Sequence, residues 1–176
     1  MVNNSKEKKL QDIAKEIEDC KVCKAGKHGK AVPGEGNSDA KVIFVGEAPG
    51  RTEAETGRPF VGRSGKLLRK LISESGLDEE DVYITSPVKY LPDYITPKPS
   101  DIAHGKTHFD RQIEVINPEI IVLLGRVACL AVLNKKDYRK GKLLRWYGID
   151  REKRSQHERI EIDVHDWGYK FHMNDI

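Results

Sequence analysis

The sequence has no apolar run that approaches the length of a membrane span, which takes about 20 consecutive apolar residues. The N-terminal stretch VNNSKEKKLQ has no apolar core of the kind a secretory signal needs. Cysteine is scarce, with three in 176 residues. In a chain with no sign of export, that argues against a disulfide framework. There is no internal repeat and no low-complexity tract. These absences point to a soluble, cytoplasmic protein that does not enter a membrane. Charge is not lopsided either: 31 Lys and Arg against 28 Asp and Glu leave a formal net charge of +3. Such a mildly basic surface permits nucleic-acid binding without requiring it. The length suits a single core.

The most informative stretch is Lys41–Gly62, KVIFVGEAPGRTEAETGRPFVG. Val42-Ile43-Phe44-Val45 has the length and β-branched character of a buried strand. It runs into Gly46-Glu47-Ala48-Pro49-Gly50, which sets an acid between glycines. In open α/β sheets, ligands bind just past the carboxyl ends of the strands. Residues without a Cβ also let a ligand come close to the backbone. Glu47 is a site candidate on that ground; the plainer reading is a solvated Glu in an ordinary turn.

Around this stretch, α and β signals alternate. Leu10, Ile13, Ala14 and Ile17 fall at helical spacing before Cys20. Ser64 can cap a helix carrying Leu67, Leu68, Leu71 and Ile72 that ends at Gly76. Val82–Thr85 reads as a second short strand. The three prolines in Leu91–Ser100 make that segment a loop. A helix from about Asp101 to Ile116 follows, stopped by Asn117-Pro118. The apolar run Ile120–Leu124 reads as a central parallel strand. After Gly125, a short helix bears Val127, Leu130 and Leu133, with Cys129 as a small buried apolar residue. This alternation predicts a parallel sheet covered on both faces. Residues 1–135 form the predicted α/β core. Residues 136–176 form a divergent basic segment that could complete the sheet edge: Tyr138–Arg159 carries eight Arg or Lys, and Ile160, Ile162 and Val164 alternate like a strand.

The joined string G-E-A-P-G, R-T-E and T-G-R-P-F-V-G-R-S-G-K-L-L resembles the first motif of the family 4 uracil-DNA glycosylases. The similarity runs from about Ile13 to Leu133, through C-x-x-C at Cys20 and Cys23 and the strand at Ile120. The resemblance implies a three-layer α/β/α fold with a central four-stranded parallel sheet. It also implies hydrolysis of the N-glycosidic bond of uracil, or a related deaminated base, in DNA. A base inside a duplex must be flipped into a pocket to be reached. Glu47 would activate water and stabilise the cationic sugar. Backbone N–H groups of the Gly46–Gly50 turn, Ala48 included, would face the oxygen on which the leaving base gathers charge. Phe60 would stack on the flipped base; its other reading is a core aromatic. Arg58, Arg63, Ser64 and Lys66 would meet phosphates at a helix N-terminus, although the three basic residues read equally as a solvated face.

The chain departs from the family pattern at three places. Where the family has an Asn that reads the uracil edge, Ser86 stands here, and one hydroxyl cannot supply the paired donor and acceptor of an amide. The family holds a 4Fe–4S cluster on four cysteines. Cys20 and Cys23 match the first two, but Tyr90 takes the third place and the fourth falls near Gly105, so a four-thiolate cluster cannot be assembled. His104 and His108 lie four apart on one helical face beside the lost cysteine. With Cys20 and Cys23 they could form a zinc-binding Cys₂His₂ tetrahedron; the other reading is a vestigial thiol pair, two solvated histidines and no metal. The family's His-Pro pair is missing, and His165 is the nearest replacement, placed to stabilise the departing uracil anion.

Two readings follow. One is a monomeric uracil-DNA glycosylase acting on uracil-containing DNA. The other is a catalytically weak or inactive relative that binds nucleic acid through the same pocket.

Overall fold

A computed structural model describes residues 4–93 and 96–132, together with the backbone of two strands at 145–148 and 159–161. In chain order the elements are α1 (Asn4–Asp19), α2 (Lys21–Lys24), β1 (Lys27–His28), β2 (Glu35–Gly36), β3 (Val42–Val45), α3 (Arg51–Thr56) and α4 (Arg63–Glu74). A 3₁₀ turn (Glu79–Asp81) precedes β4 (Val82–Thr85), β5 (Leu91–Pro92), α5 (Pro99–Ile116), β6 (Ile120–Leu123), α6 (Arg126–Val132), β7 (Arg145–Gly148) and β8 (Arg159–Glu161).

The main sheet has the order β2-β4-β3-β6-β7-β8. At its centre β3 runs parallel to β4, with Val42 opposite Val82, and parallel to β6, with Val42 opposite Ile120. β2, β7 and β8 each pair antiparallel to their neighbours. The sheet is therefore mixed, with three parallel strands where the resemblance led to an expectation of four. The three parallel strands are linked by helical crossovers: α3 and α4 connect β3 to β4, and α5 connects β4 to β6. Parallel pairing requires such connections. β1 and β5 form a separate two-stranded ribbon, so the first two residues of the segment that the three prolines marked as a loop, Leu91–Pro92, are a short strand.

Side-chain alternation divides the core into two layers. Ile43, Val45, Tyr83, Ile121 and Leu123 face one way and pack with Leu10 of α1, Phe109 and Ile116 of α5, and Ala128 and Cys129 of α6. Phe44, Val82, Ile84 and Val122 face the other way and pack with Leu68 and Ile72 of α4. A strand reverses its side chains at every residue, so each short run serves both layers. A third cluster lies beneath the N-terminus, where Ile13 and Ile17 meet Cys23, Ala31 and Tyr90.

Some local expectations are corrected. α4 begins at Arg63 with Gly62 as its N-cap and no side-chain cap, so Ser64 does not cap it. Leu67 belongs to the solvent side of that helix, 50% exposed, because the buried stripe runs through Leu68 and Ile72. α5 starts at Pro99, whose fixed φ suits the first helical position. Strand β7 falls within Tyr138–Arg159, where the sequence suggested an exposed, basic stretch. His165 lies outside the described residues. No helix among the described residues is long and apolar enough to cross a membrane.

Candidate active site and metal centre

The carboxyl ends of β3 and β4 open onto a cleft of about 160 Å³, lined by Val32, Ala48, Pro49, Gly50, Glu53, Pro59, Phe60, Ser64 and Ser86. That is smaller than the roughly 300–1,000 Å³ of pockets for drug-sized ligands, a scale suited to one flat heterocycle. Ala48 and Gly50 of the first turn thus share a cavity with Phe60 and Ser86, although these residues are far apart in sequence. Ser64, expected among the phosphate contacts, also lies on this wall.

Phe60 has a left-handed backbone, with φ of +50°. For a bulky residue this is strained, and it persists only where the surroundings enforce it. Here two opposite charges do so. The Glu53 carboxylate accepts the N–H groups of Val61 (2.9 Å) and Gly62 (2.7 Å), both at Oε1. On the other side, Arg69 donates to the carbonyls of Phe60 and Pro59, each at 3.0 Å. The Phe60 ring lies directly on Gly46, where a Cβ would come within 2.4 Å of its Cζ. Gly65 allows α4 to pass over the same loop, since a Cβ there would meet the Phe60 carbonyl at 2.0 Å. These two glycines are explained by close packing, not by turn conformation.

Arg69 also donates to Glu35 at 2.7 Å and pairs with Glu79. Arg58 forms a two-pronged pair with Glu35, both bonds at 2.9 Å. Burial tends to raise the Glu35 carboxyl, but the two guanidiniums outweigh it and hold it below the ordinary carboxylate range. In this structure Arg58 is therefore engaged by Glu35. Arg63 and Lys66 are exposed at the start of α4. Sequence reasoning assigned no role to Glu53, Arg69 or Glu35. Glu53 stood in the quoted R-T-E, but its partners lie eight and nine residues away on a loop with no repeating pattern.

Glu47 follows Gly46 directly and is partly buried; that burial raises its carboxyl above the ordinary range. The Gly46 N–H donates to the Thr85 carbonyl at 2.9 Å. That corrects the expectation that it faces a leaving base, and leaves the later amides of the turn for such a role. Ser86 is buried, and its hydroxyl donates to the Val88 carbonyl at 2.7 Å. Behind the pocket Lys89 is fully buried. Its ammonium donates to Pro33 O (3.0 Å), Thr85 Oγ1 (2.9 Å) and Gln112 Oε1 (2.7 Å), and burial brings its pKa down to about 7. Its carbonyl accepts from Val32 N–H at 2.8 Å, which secures the Val32 wall of the cleft.

A second constellation lies where α2 meets α5. Cys20 is the N-cap of α2 and accepts the Cys23 N–H at 3.4 Å. His104 and His108 project from successive turns of α5, with rings 5.7 Å apart and nearly perpendicular. The ligand atoms of all four residues lie within 4.8 Å of one another, and Cys20 Sγ is 3.2 Å from His104 Nε2. Burial works to raise the Cys20 thiol, but the Cys23 N–H and the two imidazoles outweigh it and bring it down to about 6. Burial, reinforced by Cys20, pushes Cys23 up to about 12. The structure thus brings together the Cys/His set that the sequence suggested, in an arrangement compatible with a metal ion. It does not fit a four-thiolate cluster. Tyr90 is buried with its hydroxyl on the carbonyls of Ile17 (3.4 Å) and Glu18 (3.2 Å). At Gly105 a Cβ would meet the Pro87 carbonyl at 2.0 Å.

The family described as the Uracil DNA glycosylase superfamily matches residues 33–164. The chain is 44% identical over 130 residues to the type-4 uracil-DNA glycosylase of Archaeoglobus fulgidus, covering 73% of this chain and 65% of the relative. It is 44% identical over 147 residues to the type-4 enzyme of Saccharolobus solfataricus, covering 78% and 68%. To that of Thermotoga maritima it is 43% identical over 126 residues, covering 70% and 66%. The chain spans about two thirds of the length of these curated relatives.

Proposed function

Because the chain belongs to the type-4 family of the uracil DNA glycosylase superfamily, we propose that it removes uracil from DNA by hydrolysing the N-glycosidic bond, leaving an abasic site. The observation that carries this reading is the clamped Phe60. Its strained backbone is held from both sides by Glu53 and Arg69, and it lines a base-sized cleft together with Ser86. Holding an aromatic in an unfavourable conformation costs stability, and a stacking surface for a flipped base gives that cost a purpose.

The chemistry follows from the residue types. Bond cleavage leaves positive charge on the sugar and negative charge on the base. Glu47, as carboxylate, orients and deprotonates the attacking water and stabilises the cationic sugar. The N–H groups of Glu47, Ala48 and Gly50 face the carbonyl oxygen where the base gathers charge. Phe60 fixes the plane of the base, and Ser86 sits at its edge. With its hydroxyl committed to Val88, Ser86 gives little discrimination between uracil and cytosine, so backbone groups carry most of the reading. Arg63 and Lys66, exposed beside Ser64, take the flanking phosphates, so that binding weakens as salt rises. His165 completes the site by stabilising the leaving anion. The protein acts as a cytoplasmic monomer in DNA repair. The Cys/His centre is an accessory, and no step of the hydrolysis runs through it.

The test is to incubate the protein with oligonucleotides carrying one uracil opposite G, opposite A or unpaired, followed by alkaline cleavage. Scission that Glu47→Ala abolishes supports the reading. Scission no greater than with that variant, on every substrate, rejects it.

A further inference from the structure

The donor set at the junction of α2 and α5 is too small for the cluster implied by the family, and its geometry points to something else. We propose that Cys20, Cys23, His104 and His108 hold one zinc ion in a tetrahedral Cys₂His₂ site that fastens the N-terminal helices to α5.

Three observations carry this. The first is distance. With Zn–S of about 2.3 Å and Zn–N of about 2.0–2.1 Å, the edges of such a tetrahedron are roughly 3.3–3.8 Å. Cys20 Sγ and His104 Nε2 already stand 3.2 Å apart, and no pair of the four ligand atoms exceeds 4.8 Å. Small side-chain shifts therefore close the site around a single ion. The second is His108. It is 9% exposed, and neither ring nitrogen is in hydrogen-bond geometry with a partner among the described residues, although the ring is near enough to Cys20 to favour its thiolate. A buried polar group left unsatisfied is destabilising; ligation of an ion accounts for one of these nitrogens. The third is the character of the donors: two thiols and two imidazoles make a set that zinc favours.

Iron–sulfur alternatives fail on the same geometry. A four-thiolate cluster lacks half its ligands, and the places they would occupy are taken by the hydrogen-bonded Tyr90 and by Gly105, which has no room for a side chain. A two-iron centre with two Cys and two His puts the thiolates on one iron and the imidazoles on the other. That arrangement separates sulfur from nitrogen across the sulfide bridge, whereas here one of each is in contact.

Four protein ligands make a closed, structural site. Its influence reaches the base cleft through α5, because Gly105, the neighbour of His104, packs on the carbonyl of Pro87, the neighbour of Ser86. The ion is thus placed to position the cleft wall without touching substrate.

Metal content of the untagged 176-residue chain tests this directly, by elemental analysis and assay of acid-labile sulfide. The expected result is one zinc per chain with neither iron nor sulfide. Cobalt titrated into chelator-stripped protein should then give the intense visible bands of a tetrahedral thiolate site. Cys20→Ser and His104→Asn, both at partly exposed positions, should each lose the stoichiometric zinc. Iron with sulfide overturns the proposal. So does protein that carries no zinc as purified and takes up neither zinc nor cobalt, or zinc retained in full by both variants. These readings use no uracil substrate, so failure of the glycosylase assay leaves the metal result standing, and the reverse holds as well.

Discussion

Glu53 gives the sharpest test of how the cleft is held. Its Oε1 accepts both the Val61 and the Gly62 N–H, at 2.9 and 2.7 Å, in a residue that is 8% exposed. Hydrogen bonds to a charged group contribute about 1.5–3 kcal/mol each, and neutral ones about half as much. Glu53→Gln can keep an oxygen where both N–H groups point, so it converts two charge-assisted bonds into neutral ones and should cost about 2 kcal/mol. Glu53→Ala removes both bonds and leaves two N–H groups unmatched, at about 4 kcal/mol. Release of the buried carboxylate from its desolvation trims both figures. Urea unfolding at neutral pH should therefore order the midpoints wild type, Gln, Ala, with an unchanged denaturant slope. Single-turnover excision, measured well below those midpoints, should fall about 100-fold in Glu53→Ala. Loss of the clamp lets Phe60 relax out of its left-handed conformation, and a displacement near 1 Å is enough for such a loss. An alanine variant within about 0.5 kcal/mol of wild type, a change well below one charge-assisted bond, would refute the clamp. Full excision by a clearly destabilised variant would refute its link to the site.

Other consequences can be checked in parallel. In Gly46→Ala the new Cβ lies 2.4 Å from the Phe60 ring and must push it aside; we expect about 1–3 kcal/mol of destabilisation, with loss of excision well beyond that of an exposed Gly→Ala control. Ser86→Asn restores a paired donor and acceptor, and should raise the uracil-to-cytosine rate ratio by about tenfold, the equivalent of about 1.4 kcal/mol; an unchanged ratio would place base reading elsewhere. Burial raises the Glu47 carboxyl, so a role as base requires excision to fall with decreasing pH at a midpoint above 4.5. Glu47→Gln should abolish excision at every pH while leaving the neutral-pH unfolding midpoint unchanged or higher, because ionising this partly buried group opposes folding above its raised pKa. The opposite sign holds for Glu35. Its depressed carboxyl contributes stability above 4.5 that is lost as pH falls through its folded value, so Glu35→Gln should flatten the acid side of the pH–stability curve.

The strands and long helices were legible because their signals are local. The run at 42–45 and the periodic stripe of α1 through Leu10, Ile13 and Ile17 declare themselves within a few residues, and G-E-A-P-G with P-F-V-G-R-S-G-K-L-L marks the site by chemistry and by likeness. The Cys₂His₂ set was legible for a similar reason: a C-x-x-C pair and two histidines four apart each present neighbouring ligands, so only the meeting of two elements had to be guessed. Strand direction was harder. Nothing in the two-residue strand β2 reveals that it runs against β4, since both directions bury the same side chains.

By itself, the sequence determined the kind of core, the strand ends where a ligand would bind, the acid beside them and the lack of a four-thiolate ligand set. These depend on residue type and short-range spacing. Only the tertiary structure decided that Glu53 and Arg69 hold Phe60 from opposite sides, that Arg58 pairs with Glu35, that the Gly46 N–H is already engaged, and that four scattered ligands converge within a few ångströms. Each is a contact between distant segments, and such contacts depend on how the layers stack as well as on which residues the chain contains.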